Sequence, residues 1–323
     1  MATTPNPNGN PDSFFVARVR RELRDAPKTF TDPFTGDGLR GGFAAGSQPY
    51  QLQRSPVINS SQESVPGAVC SVASTPTAVV YDVLTPAAAQ VSVITETGEL
   101  IFGTIPPANA SILFTYQAAL NGTQQILDAL KEGLAAMWPE IYQLQTDTTT
   151  VVLTPTTTEY TLSAAFNDPR THLLSVEVAP PSGIITYFDT GLWDETGPNN
   201  SILKMEQSWP PGSVCRLTFN AQYANLSDLE PMLLHLPVYY AIGRLLEEQE
   251  TRRTRQADLT ALTGEGGNKP GDAAKQADRW MNRFLALKQE FAQPDPSSTT
   301  VKDRSVERLP FARATSFSWN PFG

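Results

Sequence analysis

A chain of 323 residues suggests two domains, or one with large insertions, and its 40% hydrophobic content is enough for cores of ordinary size. With 33 carboxylates against 24 Lys and Arg, a formal charge of -9, it lacks the cationic excess that drives sequence-independent binding of nucleic acid over a large surface. Two cysteines, Cys70 and Cys215, without neighbours at metal-ligand spacing, read as small buried hydrophobes of a reducing compartment; a disulfide between them is the alternative.

The opening stretch MATTPNPNGNPDS carries neither a basic nor an apolar region, so no secretory signal is expected. No apolar run approaches the roughly 20 residues of a membrane span. A soluble product of a cytoplasm, without membrane partners, is the expectation. Residues 1–26 read as an arm followed by a short helix, with Asp12 as its cap and Phe15, Val16, Val19 and Leu23 on its apolar face. Arg18, Arg20, Arg21 and Arg24 are distributed around it, and Pro27 stops it.

A first β region spans 27–120. Its strands read from AVVYDVL (78–84), VSVITETGELIFG (91–103) and SILFTYQA (111–118), with Thr97-Gly98 as a hairpin turn. Gly36-Asp37-Gly38 in FTDPFTGDG reads as a tight turn entering the first strand. That loop has no Lys and no following helix, which argues against a phosphate site.

The period changes over 121–145. Leu127, Leu130, Leu134, Met137, Ile141 and Leu144 recur three or four apart, and Asn121 or Thr123 can cap that helix. Pro139 kinks or ends it. A second β region, 146–226, follows with strands at TVVL, YTLS, HLLSVEVA, GIITYF, SILKMEQS and SVCRLTFNAQY. PPANASILFTYQAAL (106–120) and PPGSVCRLTFNAQYANL (210–226) look alike: two prolines, a turn, an alternating strand, and a polar exit into a helix.

The stretch 227–292 predicts an antiparallel helical hairpin. Leu234, Val238, Ala241 and Leu245 begin one stripe, GEGGNKPGD (264–272) turns, and Ala273, Ala277, Trp280, Phe284, Leu287 and Phe291 recur at 4, 3, 4, 3, 4. Residues 293–323 form an extended tail whose Phe311, Phe317, Trp319 and Phe322 suit docking on another chain, since plain disordered tails are poor in aromatics.

Motifs for catalysis are sparse. His172 and His235 stand apart beside leucines and read as structural. No nucleophile elbow, P-loop, dinucleotide fingerprint or zinc-protease motif occurs, so neither enzyme activity, cofactor nor metal is expected. YFDTGLWDET (187–196) offers Asp189, Asp194 and Glu195 without calcium-loop spacing, and reads as a turn over a buried Trp193. In YYAIGRLLEEQETRRTRQ (239–256), Glu248 precedes Arg252 by four residues, the favourable order, and Arg244 precedes Glu248 by four. Arg244, Glu248, Arg252, Arg253 and Arg255 therefore read as a self-paired face, solvated or interfacial. A nucleic-acid patch at Arg252, Arg253 and Arg255 is the competing reading.

The fold class expected is α+β: sandwich- or barrel-like β regions, a helical bundle with a long C-terminal hairpin, and extended termini. The lead-in TFTDPFTGDG, the helix ending LKEGLAAMWPEI and the pair LPVYYAIGRLLEEQE and QADRWMNRFLALKQEF together resemble head-to-tail connector (adaptor or neck) proteins of tailed bacteriophages. The resemblance rests mainly on 121–144 and 235–291. It implies a structural virion protein, made in the host cytoplasm, that forms a ring of typically twelve copies between portal and tail. Its partners would be other copies of itself, the portal protein and a downstream neck or tail protein, with DNA passing through the lumen unread. The alternatives are a tail, baseplate or fibre-associated protein, and a carbohydrate-binding β-sandwich using Asp189, Asp194 and Trp193.

Overall fold

The computed structural model describes residues 12–43, 47–63, 65–162, 168, 170–181, 188–189, 193–197, 201–260 and 271–293, with the backbone alone at 188–189 and 253–260. Helices and strands are mixed, with four α-helices and a nearly closed β-sheet among these residues. They fall into two units. One holds the described residues up to Ala136 together with Ala224–Leu287; the other holds Met137–Tyr223 and those from Lys288 on.

The first unit begins with α1 (Asp12–Leu23), which buries Phe15, Val16, Val19 and also Arg20. It ends before Pro27, contrary to the sequence expectation. Arg24 takes a left-handed φ of 55°, and Asp25 N–H donates to the Arg20 carbonyl at 2.9 Å, closing the last turn.

Seven strands follow: β1 (Lys28–Thr35), β2 (Tyr50–Gln51), β3 (Val69–Val72), β4 (Thr75–Tyr81), β5 (Gln90–Ile94), β6 (Glu99–Phe102) and β7 (Ser111–Ala118). Their order in the sheet is β1-β7-β3-β4-β5-β6-β2. Gly36-Asp37-Gly38 thus follows the first strand rather than entering it. β1 is an edge strand, which is why Pro33 is tolerated there. Thr97-Gly98 does turn β5 into β6, with Gly98 at φ 75° and its N–H donating to the Ile94 carbonyl at 2.8 Å.

Alternation on β7 sends Ile112, Phe114, Tyr116 and Ala118 inward, against Val91, Val93, Leu100, Phe102 and the free Cys70. The two edges of this sheet approach one another. Asp32 on β1, 3% exposed, accepts from the Gln53 N–H just past β2 at 2.7 Å and from the Tyr116 hydroxyl at 2.9 Å. Burial and the neighbouring Asp32 push the Tyr116 phenol up to about 12. Phe34 and Tyr50 stack across the same gap, 5.5 Å between ring centres.

Helix α2 (Thr123–Met137) stops earlier than its apolar spacing predicts. Ile141 is buried outside the helix, and Leu144 sits half-exposed on the next strand; Pro139, which cannot supply a helical N–H, interrupts the pattern. Helix α3 (His235–Thr260) starts with Pro237 in its first turn, where no N–H is required, and buries Leu236, Val238, Ala241, Ile242 and Leu245. Helix α4 (Asp272–Glu290) buries Ala273, Ala277 and Phe284 of the expected seam, leaves Trp280 and Leu287 half-buried, and ends before Phe291.

Glycines set how closely the helices pack. A Cβ at Gly133 of α2 would lie 3.0 Å from the Cα and carbonyl oxygen of Pro237, and one at Gly243 would meet Ala277 and Met281 of α4 at 3.4 Å. Tyr239 stacks on Trp280 and Tyr240 on Phe284, at 5.2 and 5.3 Å, and Glu250 accepts from Gly271 N–H at 2.7 Å. These contacts run in opposite chain directions along α3 and α4. The expected connecting turn lies largely at 261–270, outside the described residues.

The second unit has β8 (Gln143–Asp147), β9 (Glu159–Thr161), β10 (Leu173–Ala179), β11 (Phe188–Asp189), β12 (Trp193–Thr196), β13 (Ile202–Met205) and β14 (Val214–Ala221). They make a four-stranded sheet, β11-β10-β14-β8, and a three-stranded one, β12-β13-β9. Leu173, Val176, Cys215 and Leu217 of the first meet Tyr160, Trp193, Leu203 and Met205 of the second in one core. TVVL supplies only an isolated bridge from Val152 to Val214 instead of a strand.

The two similar stretches use one device. The Pro107 carbonyl accepts from Ala110 N–H at 3.1 Å with Asn109 at φ 63°, and the Pro210 carbonyl accepts from Ser213 N–H at 3.2 Å with Gly212 at φ 83°. Each turn delivers an eight-residue strand, β7 or β14, to the interior of its sheet. The turn begins at the second proline in one case and at the first in the other.

Asp32→Ala should cost about 2–3 kcal/mol, because it leaves the Gln53 N–H and the Tyr116 hydroxyl without their acceptor. Urea unfolding measures it. A cost near zero would mean that the closure of the sheet does not depend on this carboxylate.

Candidate functional site: the helical face

Two polar constructions meet on the helices of the first unit, one buried and one exposed. The buried one is centred on Arg20, 4% exposed. Its Nε and one terminal nitrogen each donate to the Glu63 carboxylate at 2.6 Å. The other terminal nitrogen donates to Asp25 Oδ2 and to the Asn121 carbonyl, both at 3.1 Å. Asp25 also accepts from the Leu120 N–H at 2.7 Å and the Asn121 N–H at 3.0 Å, while the Thr123 hydroxyl donates to Glu63 at 2.6 Å. Gln249 of α3 reaches Asn121 Oδ1 at 3.4 Å.

Asn121 and Thr123, expected as helix caps, spend their side chains on this cluster. The sequence reading missed it. One signal was present: Ser13, Val16 and Arg20 fall at positions i, i+3 and i+7, so this arginine lies in the apolar register of α1. A cation there requires buried carboxylates from elsewhere.

The exposed construction is the charged run of α3. Arg244 reaches Glu132 of α2 at 3.4 Å and Glu247 at 3.6 Å, and Arg252 reaches Glu248 at 3.8 Å. Gln125 of α2 donates to Glu248 at 2.5 Å. Arg244 and Glu248 therefore do not form the expected direct pair; Arg244 reaches across to Glu132 of α2 as well as along its own helix to Glu247. Desolvation works against the Arg244 guanidinium, but Glu132, Glu248 and Glu247 hold it above the ordinary arginine value. Such half-exposed pairs contribute little to stability and mainly set orientation. The side chains of Arg253 and Arg255, and Phe311, Phe317, Trp319 and Phe322, lie outside the described residues.

His235 opens α3 and packs against α1. Arg18, always a donor, makes its bond to Nδ1, so the ring proton sits on Nε2. The imidazole also stacks on Tyr239 at 5.8 Å. A cleft of about 440 Å³ beside α1 is lined by Ala17, Arg21, Arg24, Ala26, Pro27 and Val65. A second of about 320 Å³ lies where Glu96, Glu248 and Arg252 meet Gly122 and Thr123.

In the second unit, His172 Nδ1 lies 3.2 Å from Glu195 of β12, and its backbone N–H donates to the fully buried Asn220. The contact with Glu195 ties the two sheets together, and that with Asn220 joins the start of β10 to β14 within one sheet. Trp193 is 6% exposed within the core and belongs to a strand, not a turn, so it offers no sugar-stacking surface beside Asp194. The side chain of Asp189 is outside the described residues. Cys70 and Cys215 are free and buried, each thiol pushed up to about 12 by burial. Among the described residues no group of three His, Cys, Asp or Glu side chains gathers as metal ligands, and no helix is long and apolar enough to cross a membrane.

Arg20→Met should cost about 3–5 kcal/mol in urea unfolding, because Glu63 and Asp25 stay buried without their cation. The exposed neighbour change Arg21→Met should stay within about 0.5 kcal/mol; equal costs would show that the cluster carries no special weight. Burial, then the Arg18 charge, hold His235 below the ordinary imidazole range. The folded chain thus binds this proton less readily than the unfolded one. Its contribution is complete above the unfolded value of about 6.5 and is lost as pH falls through the lowered folded value. Unfolding temperature should fall more steeply towards about pH 5 in the wild type than in His235→Gln, and identical slopes would remove this histidine from the pH dependence. No protein-family model matches this chain, and neither does any curated protein.

Proposed function

We propose that the chain is a structural virion protein, a head-to-tail connector that closes into a ring between portal and tail and lets DNA pass through its lumen. The observation that carries this reading is the α2, α3 and α4 layer. Glycine-close packing holds α3 against α2 and against α4, and its charges are paired along and between helices, leaving an ordered polar face for lateral contact. In this reading the nearly closed sheet is a barrel-like body, the two-sheet unit a sandwich-like one, and α3 with α4 a hairpin joined through 261–270. The aromatic residues Phe311, Phe317, Trp319 and Phe322 dock on the portal or on the next tail component.

Rings follow when a head-to-tail contact between identical copies closes by rotation. An acidic protein suits a channel that should not hold phosphates. The chain's role is then assembly rather than catalysis. The fourteen strands against four helices among the described residues also favour a second reading, a tail or baseplate component, which differs in symmetry.

Native mass spectrometry and negative-stain imaging of the full chain, alone and mixed with the portal protein of its own particle, test this. A closed ring near twelve copies is expected. A stable trimer or hexamer would move the protein to the tail or baseplate, and a chain that stays monomeric beside the portal would overturn the connector reading.

A further inference from the structure

Charge is unevenly spread along this sequence. Between residues 37 and 243 there are 18 Asp and Glu against 6 Lys and Arg, so the excess of negative charge belongs to the β-rich middle of the chain. Outside that range the balance is positive, 15 Asp and Glu against 18 Lys and Arg. On α4, Lys275, Arg279 and Arg283 follow at intervals of four residues and are all exposed. Each step of four advances about 6 Å, so the three form a line about 12 Å long on one side of the helix. Ala273, Ala277 and Phe284 face α3, so this line lies on the side of α4 turned away from it.

None of the three is within ion-pair distance of a carboxylate among the described residues, unlike the paired arginines of α3. The Arg283 guanidinium carbon lies 4.8 Å from the centre of the Trp280 ring, a cation–π contact that restrains this side chain. Between Asp272 and Glu290 at its ends, α4 carries Lys275, Arg279, Arg283 and Lys288 against the one carboxylate Asp278, a net positive stretch.

We propose that the Lys275, Arg279 and Arg283 line on α4 seats against the carboxylate-rich β surface of a second copy of this chain. The occupant follows from complementarity: a basic edge and an acidic body on one molecule attract head to tail, the geometry that propagates from copy to copy. The proposal names the contact through which the proposed ring would close and rests on that reading.

The experiment is native mass measurement of the full wild-type chain and of Lys275→Glu/Arg279→Glu as ionic strength rises from about 0.01 M to 1 M, where the screening length shrinks from about 30 to 3 Å. Wild type should be oligomeric at low salt and fall towards monomer with salt, whereas the double variant should be monomeric throughout. Its circular dichroism and unfolding temperature should not change, since both side chains are exposed. Carbodiimide treatment should couple Lys275 to a carboxylate between 37 and 243 in the oligomer and not in the monomer. Rings that persist in the double variant would sink the proposal and leave the connector reading standing. A wild type that forms no oligomer, with or without portal, would remove both. Stripe-dependent binding of a DNA duplex without self-association would overturn the proposal by assigning the line to nucleic acid.

Discussion

One guanidinium decides how the helices of the first unit meet its sheet. Arg20 makes four hydrogen bonds out of reach of water, to a carboxylate after β2, a carboxylate after α1 and the carbonyl that leads into α2. Taking these charges out of water is costly, and their attraction returns the cost only in good geometry with the remaining oxygens bonded. Asp25 and Glu63 meet that condition by accepting from backbone N–H groups and the Thr123 hydroxyl. The arrangement therefore contributes more to uniqueness than to stability. A helix start shifted by one residue would leave a buried charge with no partner.

α3 is the second organiser, and its tool is the absence of side chains. Gly133 lets the start of α3 approach α2, where a Cβ would press on the Pro237 backbone, while a Cβ at Gly243 would sit at ordinary contact distance from α4. Tight seams leave the long charged side chains only the outward faces. There Arg244 and Arg252 form ion pairs with neighbours, while Lys275, Arg279 and Arg283 meet no carboxylate among the described residues, and the two helices present different electrostatic edges.

Where burial is one-sided and regular, the sequence announced it. The α4 seam and the β7 strand could be read because helical and strand periods report which face meets the core. β1 escaped, since Asp32 occupies an inward position between Phe30 and Phe34 and Pro33 interrupts the run. An inward carboxylate makes sense only once Tyr116 and Gln53, distant in sequence, are known to face it. The same holds for Arg20. The end of α2 misled for the opposite reason: Ile141 keeps the apolar spacing and is buried, yet it has left the helix. Of the interfacial face, Arg252 with Glu248 was legible from spacing on one helix. The reach of Arg244 to Glu132 was not, because it joins two helices.

The partners of α1 are far along the chain: Asn121 is 101 residues from Arg20, and His235 is 217 residues from Arg18. A ribosome delivers α1 first and these partners long afterwards. Asp25 and Glu63 follow Arg20 early, but for much of synthesis the helix waits without Asn121 and His235, too short to hold itself together in water. The native contacts of α1 can therefore be completed only after α3 has begun to emerge.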